Sequence, residues 1–231
     1  MSDLQKAAKR AVGKQVASMI KSGMKLGLGT GSTAALAIEE LGIRVREEGL
    51  DVTGVPTSFA SERLARQHGI PVSTLDETPE LDLAFDGADE VDADMTLIKG
   101  RGAAQTREKI VAAQAARFVV LVDESKMVTR LGTKFPLPVE IVPMAAAPVM
   151  NVLRSLGAQP ELRMGAKKDG PVVSDQGLWI LDGMFDEIAD ARHVNQVLLN
   201  TPGVVDHGLF IDMATDVLIG KSDGSVEHLL K

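Results

Sequence analysis

The chain has 231 residues, 45% hydrophobic and 25% charged, with a formal net charge of -7 and a pI near 5.2. That composition supplies a core for one large or two smaller domains, while the acidic balance, a single Trp and no Tyr argue against an extended nucleic-acid surface with stacking platforms. No apolar run is long enough to span a bilayer, and the lack of cysteine excludes disulfides, thiolate catalysis and Cys-based zinc sites.

Lys6, Lys9, Arg10, Lys14 and Lys21 punctuate the first 24 residues, which do not read as a signal peptide, and a cysteine-free chain fits the cytoplasm. His68, His193, His207 and His228 are scattered, without the spacing of a zinc-binding pair.

In chain order, Leu4, Ala7, Ala8, Ala11, Val12, Val16, Met19 and Ile20 recur at helical spacing and predict an amphipathic helix ended near Gly23. The run MKLGLGTGST at residues 24–33 reads as a strand breaking into a glycine turn, and Ala34, Ile38, Leu41 and Val45 as a helix ended by Gly49. Gly27, Gly29 and Gly31 give G-x-G-x-G, with Ser32 where a dinucleotide fingerprint needs glycine and no P-loop lysine. Backbone amides at the helix start, with the hydroxyls of Thr30, Ser32 and Thr33, suit a single phosphate; a plain turn with Ser32 or Thr33 as helix cap is an equal reading of the loop alone.

A strand at residues 51–55, a short helix at 61–68, the segment PVSTL and an alternating strand at 81–85 follow. The nearly continuous apolar run FVVLV at residues 118–122 suits a parallel sheet covered on both faces. Strands alternating with helices predict a Rossmann-like, doubly wound α/β sheet. Ligands bind such sheets at the carboxyl ends of their strands, so Thr30 to Thr33, Asp86 to Asp89 and Lys126 are expected on one rim.

Beyond the proline-rich stretch near Leu131 the order reads β-α-β-β-α-β, a split βαβ pattern with a turn at Asp175-Gln176-Gly177. The expected division is a catalytic domain of residues 1–130 plus 207–231, and a small ferredoxin-like α+β domain of residues 131–206. The tail turns at Ser222-Asp223-Gly224 on its return to the first domain.

The stretch DGADEVDADMTLIKGRGAAQTREKI, residues 86–110, concentrates the chemistry. Asp86 and Asp89 bracket Gly87-Ala88 and are placed to handle the hydroxyl protons of one ligand, or to be satisfied locally by backbone amides. Glu90, Asp92 and Asp94 read as a solvated charge run. Lys99, between Ile98 and Gly100, is a cation for a developing oxyanion or else a surface lysine. Glu108, on a helix beginning near Ala103, shares a face with Ala104, Val111, Ala112 and Ala115 and is the best candidate for a general base. Burial would raise its pKa, and Lys99 and the helix N-terminus would lower it. The opposing reading makes Arg107-Glu108-Lys109 a solvated patch.

Taken together, GTGST at residues 29–33, FDGADEVD at 85–92, IKGRGAAQTREKI at 98–110, DESK at 123–126 and FPLPVEI at 135–141, followed by SDQGLWILD and PGVVDHGLF, resemble type A ribose-5-phosphate isomerase over nearly the whole chain. The resemblance implies interconversion of ribose 5-phosphate and ribulose 5-phosphate in the pentose phosphate pathway, no metal or organic cofactor, and a homodimer or homotetramer. It puts the general base on Glu108, the paired aspartates on Asp86 and Asp89, and the oxyanion-facing lysine on Lys99. It puts the substrate loops on Thr30, Gly31, Ser32 and Thr33, on Gly87 and Ala88 between the aspartates, and on Lys99, Gly100, Arg101 and Gly102, with a phosphate-side lysine at Lys126. The chain departs from the family at Arg101, usually glycine, which adds a cation and leaves the geometry of that loop open. Related-fold rivals are amino-sugar-phosphate deaminases and CoA transferases; a non-catalytic sugar-phosphate sensor is the rival of another class.

Overall fold

The structure, a computed structural model, describes residues 3–231. Its helices are α1 (Asp3–Met19), α2 (Ser32–Glu48), α3 (Phe59–Gln67), α4 (Gln105–Ala113), α5 (Ala146–Ser155) and α6 (Ala191–Leu199). Its strands are β1 (Lys25–Leu28), β2 (Thr53–Pro56), β3 (Leu83–Gly87), β4 (Glu90–Val91), β5 (Leu97–Ile98), β6 (Phe118–Asp123), β7 (Leu137–Ile141), β8 (Gln159–Leu162), β9 (Trp179–Met184), β10 (Val204–His207), β11 (Leu209–Phe210), β12 (Asp216–Gly220) and β13 (Val226–Leu230). Two compact units result: Met1–Ala88, Arg107–Lys126 and Met213–Lys231 form one, and Asp89–Thr106 with Met127–Asp212 the other.

The first unit holds a six-stranded sheet in the order β13-β12-β6-β3-β1-β2, parallel except for the β12–β13 hairpin at its edge. β6 is buried at every position, as its unbroken apolar run requires of a strand covered on both faces. The apolar face of α1, with Val12 and Val16, packs into one core with Leu26, Leu28, Ile38, Leu41, Phe85 and Leu121. α2 ends where Gly49 adopts the left-handed conformation and its amide bonds the Arg44 carbonyl, and α3 begins at a capping box between Ser58 and Ser61. PVSTL contributes a single bridge, Val72 to Gly54.

Asp216, buried at the start of β12, receives Arg117 Nε at 2.8 Å, Thr215 Oγ1 at 2.7 Å and a 2.6 Å contact from His228 Nε2. Burial alone would push its carboxyl up, but these hydrogen bonds together outweigh it and hold the group at about 2. A carboxyl depressed in the folded state stabilises the fold above its unfolded pKa of about 3.9 and loses that contribution as pH falls toward the folded value. Between pH 5 and pH 2 the wild type is therefore expected to lose about 2 kcal/mol through this group. Asp216→Asn is expected to flatten that part of the acid-unfolding profile, as followed by urea titration at each pH.

The second unit carries an antiparallel sheet in the order β10-β7-β9-β8, with α5 and α6 entering at the positions the split βαβ pattern predicts. Val139, Ile141, Val149, Leu153, Leu181, Val194 and Leu198 form its core. A second, three-stranded sheet, β11-β5-β4, was not legible in the sequence, because strands of two residues are too short to show alternation. It makes Leu97-Ile98 a central strand and so fixes where Lys99 leaves the sheet.

Candidate active site

In the first unit β6, β3 and β1 are neighbours; Asp86-Gly87 end β3, and the segments leaving the carboxyl ends of β6 and β1 carry Lys126 and Thr30 to Thr33. β1 is the point where the strand order reverses, with β2 on one side and β3 on the other, the place where open α/β sheets bind ligands. Gly29 is required there: a Cβ at this position would lie 2.4 Å from both Asp86 Oδ1 and the Phe85 carbonyl. The close approach lets the Thr30 amide donate to Asp86 Oδ1 at 2.9 Å, and the Gly87 amide donates to the same oxygen at 2.7 Å. Asp86 is thus oriented by a remote amide as well as by its own turn.

The helix-cap reading of the glycine loop does not hold. The residue before α2 is Gly31, with φ 101°, and no side chain caps the helix. The first amides of α2 are therefore not taken up by an N-cap side chain. Thr30 Oγ1 is locked among the hydroxyls of Thr57 and Ser58, each at 2.7 Å, and Ser32 is exposed. Lys9, on α1, donates from Nζ to Ser32 Oγ at 2.9 Å. Sequence reading missed it, since a lysine on an amphipathic helix 23 residues away carries no local mark. A cavity of about 320 Å³ opens beside the loop, lined by Thr30, Gly31 and Ser32 and by Ala60, Arg63 and Leu64 of α3.

α4 starts at Gln105 rather than near Ala103, because Ala103 sits at φ 57°, a left-handed conformation that cannot continue a helix. Val111 packs so closely on β1 that a Cβ on Gly27 would meet its Cγ1 at 2.7 Å. Glu108, one turn earlier on the same face, is only 5% exposed, which removes the solvated-patch reading. Arg107 is likewise tied down, with Nε donating to the Thr57 carbonyl at 3.1 Å and its guanidinium 5.4 Å from the centre of the Phe59 ring. Lys126 closes a short 3-10 turn after β6 and is half-buried.

The second unit holds Asp89, Lys99, Gly100, Arg101 and Gly102. Lys99 is 2% exposed: its amide donates to the Gly208 carbonyl at 2.9 Å and its ammonium lies 5.4 Å from the centre of the Phe210 ring. It is not a surface lysine. The Asp89 amide donates to the Ile98 carbonyl at 2.8 Å, and its Oδ2 accepts the Arg101 amide at 3.0 Å. Arg101 does not disturb the loop. Among the described residues only Met95, Ala103 and Asp212 combine a side chain with positive φ, so position 101 does not need the left-handed backbone that favours glycine, and the exposed guanidinium of Arg101 lies 6.0 Å from the Phe135 ring centre.

The charge run is corrected at Glu90, which is fully buried and accepts the amides of Gly132 at 2.6 Å, Lys134 at 2.6 Å and Phe135 at 2.8 Å. Asp92 is half-buried and caps a turn by accepting the amides of Asp94 and Thr96; burial raises its carboxyl above the usual range. Only Asp94 is exposed as predicted. Among the described residues no three histidine, aspartate or glutamate side chains are grouped to hold a metal ion, and no helix is long and apolar enough to cross a membrane.

Residues 53–224 match the family model of ribose 5-phosphate isomerase A (phosphoriboisomerase A). The chain is 53% identical to ribose-5-phosphate isomerase A of Thermosynechococcus vestitus, over 95% of its own length and 93% of the relative's. It is 51% identical to that of Methanosarcina acetivorans, over 96% and 94%. Among solved structures, ribose 5-phosphate isomerase A of Methanocaldococcus jannaschii superposes with a TM-score of 0.94 at 48% identity, covering 98% of this chain and all of the other. A D-ribose-5-phosphate isomerase in complex with phospho-erythronic acid superposes with a TM-score of 0.96 at 42% identity, covering both chains in full.

Proposed function

This chain belongs to the ribose 5-phosphate isomerase A family, and we propose on that premise that it interconverts D-ribose 5-phosphate and D-ribulose 5-phosphate through a cis-enediolate, with Glu108 as the base. The observation that carries the assignment of Glu108 is its burial in the first turn of α4, one turn before the Val111 that packs on β1.

Each step falls to a group suited to it. Asp86, oriented by two amides, assists opening of the sugar ring; Asp89 shares the handling of hydroxyl protons. Glu108 removes the C2 proton of the aldose and delivers it to C1, and the ammonium of Lys99 stabilises the enediolate oxygen. The substrate phosphate meets the amides at the start of α2, the hydroxyls of Ser32 and Thr33, and the cations Lys9 and Lys126. Phospho-erythronic acid, held by one relative, supports this reading, since a carboxylate next to a phosphorylated chain mimics the planar, anionic enediolate. A homodimer or homotetramer in the cytoplasm completes the proposal.

The direct test is formation of ketose from ribose 5-phosphate, with and without a chelator; no conversion would end the proposal. For the phosphate side, Lys9→Ala and Lys126→Ala are each expected to raise KM about fivefold to tenfold with kcat nearly unchanged, the worth of roughly 1–1.5 kcal/mol for one partly solvated hydrogen bond. A fall in kcat with unchanged KM would show that these lysines act on the reacting carbons instead.

A further inference from the structure

We propose that Arg163 is a positioning residue for the isomerisation, orienting Asp89 and the loop at residues 100–102 through the peptide groups between them; this rests on the function proposed above. Arg163 follows β8, at the edge of the four-stranded sheet, and its side chain is 15% exposed. Its guanidinium is held in a fork by Asp182 of β9, with Nε donating to Oδ2 at 2.7 Å and Nη2 to Oδ1. That grip leaves Nη1 aimed at two successive main-chain oxygens, the carbonyls of Gly100 at 3.0 Å and Arg101 at 3.1 Å.

A trans peptide is planar, so its C=O and N–H point to opposite sides. The peptide joining Gly100 to Arg101 presents its oxygen to Arg163 and its N–H to Asp89 Oδ2 at 3.0 Å. Asp182, Arg163, one peptide group and Asp89 therefore form a continuous series of hydrogen bonds. A carboxylate assigned to the substrate's hydroxyl protons takes its orientation from a cation more than seventy residues away in the chain. The next peptide also turns its oxygen to Arg163, so the Gly102 N–H points away from the guanidinium. A cation at the carbonyl end of a hydrogen-bonded series polarises the N–H at its other end. Lysine cannot replace this group, because an ammonium has neither the fork that fits Asp182 nor the planar reach to two carbonyls.

The test compares kcat and KM for ribose 5-phosphate in wild type, Arg163→Met, Arg163→Lys, Arg163→Gly and Asp182→Asn, with the far-UV spectrum and thermal midpoint of each. Misplacement of a catalytic carboxylate by about 1 Å costs on the order of 100-fold, so Arg163→Met and Arg163→Lys are expected to lose kcat by about that factor while KM stays within about threefold. Guanidinium added to Arg163→Gly is expected to restore kcat severalfold, which a merely structural defect would not allow. Asp182→Asn, which keeps the guanidinium but loosens it, is expected to fall between these variants and wild type, and serves if Arg163→Met does not fold. Wild-type kcat in folded Arg163→Met or Asp182→Asn would overturn the proposal, as would losses that follow the thermal midpoint with no recovery by guanidinium. An inactive wild type would instead remove the function proposed above, so the two failures are separable.

Discussion

Glu108→Gln is expected to lower kcat by about 10²–10⁴-fold, the range that a positioned general base contributes, with little change in KM. An amide has nearly the shape of the carboxylate but does not accept a proton at neutral pH, so substrate still docks and the C2 hydrogen stays in place. Running the reaction in D2O adds a second measurement: wild type should wash deuterium into the ketose at C1, and Glu108→Gln should not do so at a comparable rate. Isomerisation above about a tenth of wild type would assign the proton transfer to another group. The far-UV spectrum should match wild type, because the substitution leaves no cavity.

Glu90→Gln should do the reverse. Glu90 is the fully buried acceptor of three backbone amides, from Gly132, Lys134 and Phe135, and so pins the segment that leads into β7. An amide in its place turns an NH2 toward one or more of those N–H donors, leaving buried groups without acceptors. The expected loss is about 3 kcal/mol, which for a chain of this size lowers the thermal midpoint by roughly 6–12 °C. At temperatures where the variant is folded, kcat should stay close to wild type. A midpoint unchanged within about 2 °C would mean that the three amides find other partners. These substitutions separate two buried glutamates of one chain, one proposed as the base and the other holding the fold.

The contrast also marks the reach of the sequence. Glu108 can be placed on an apolar face from the sequence because its helix carries Val111 one turn later, a periodicity that local spacing reports. Glu90 was misread because its partners lie 42 to 45 residues downstream and are main-chain amides, which carry no side-chain signature. Lys99 stands out in the sequence as a candidate cation, but its burial follows from the three-stranded sheet, whose third member is Leu209-Phe210, more than a hundred residues later. Arg101 endangers a glycine loop by its type alone, and only the backbone angles show that the position does not require glycine.

What the sequence determined by itself is the order of the helices and the longer strands, the doubly wound and split βαβ patterns, and the spaced motifs that identify the family, because hydrophobic period, glycine stops and contiguous motifs are local properties. Which of the charged groups are buried, and what holds them, was decided by the tertiary structure alone. Lys9 reaching Ser32, three amides converging on Glu90, and Arg163 gripping the carbonyls of Gly100 and Arg101 all join residues far apart in the chain. Their physical basis is that a buried polar group must find a partner wherever the fold supplies one, and folding brings main-chain donors and acceptors from distant segments to the same place.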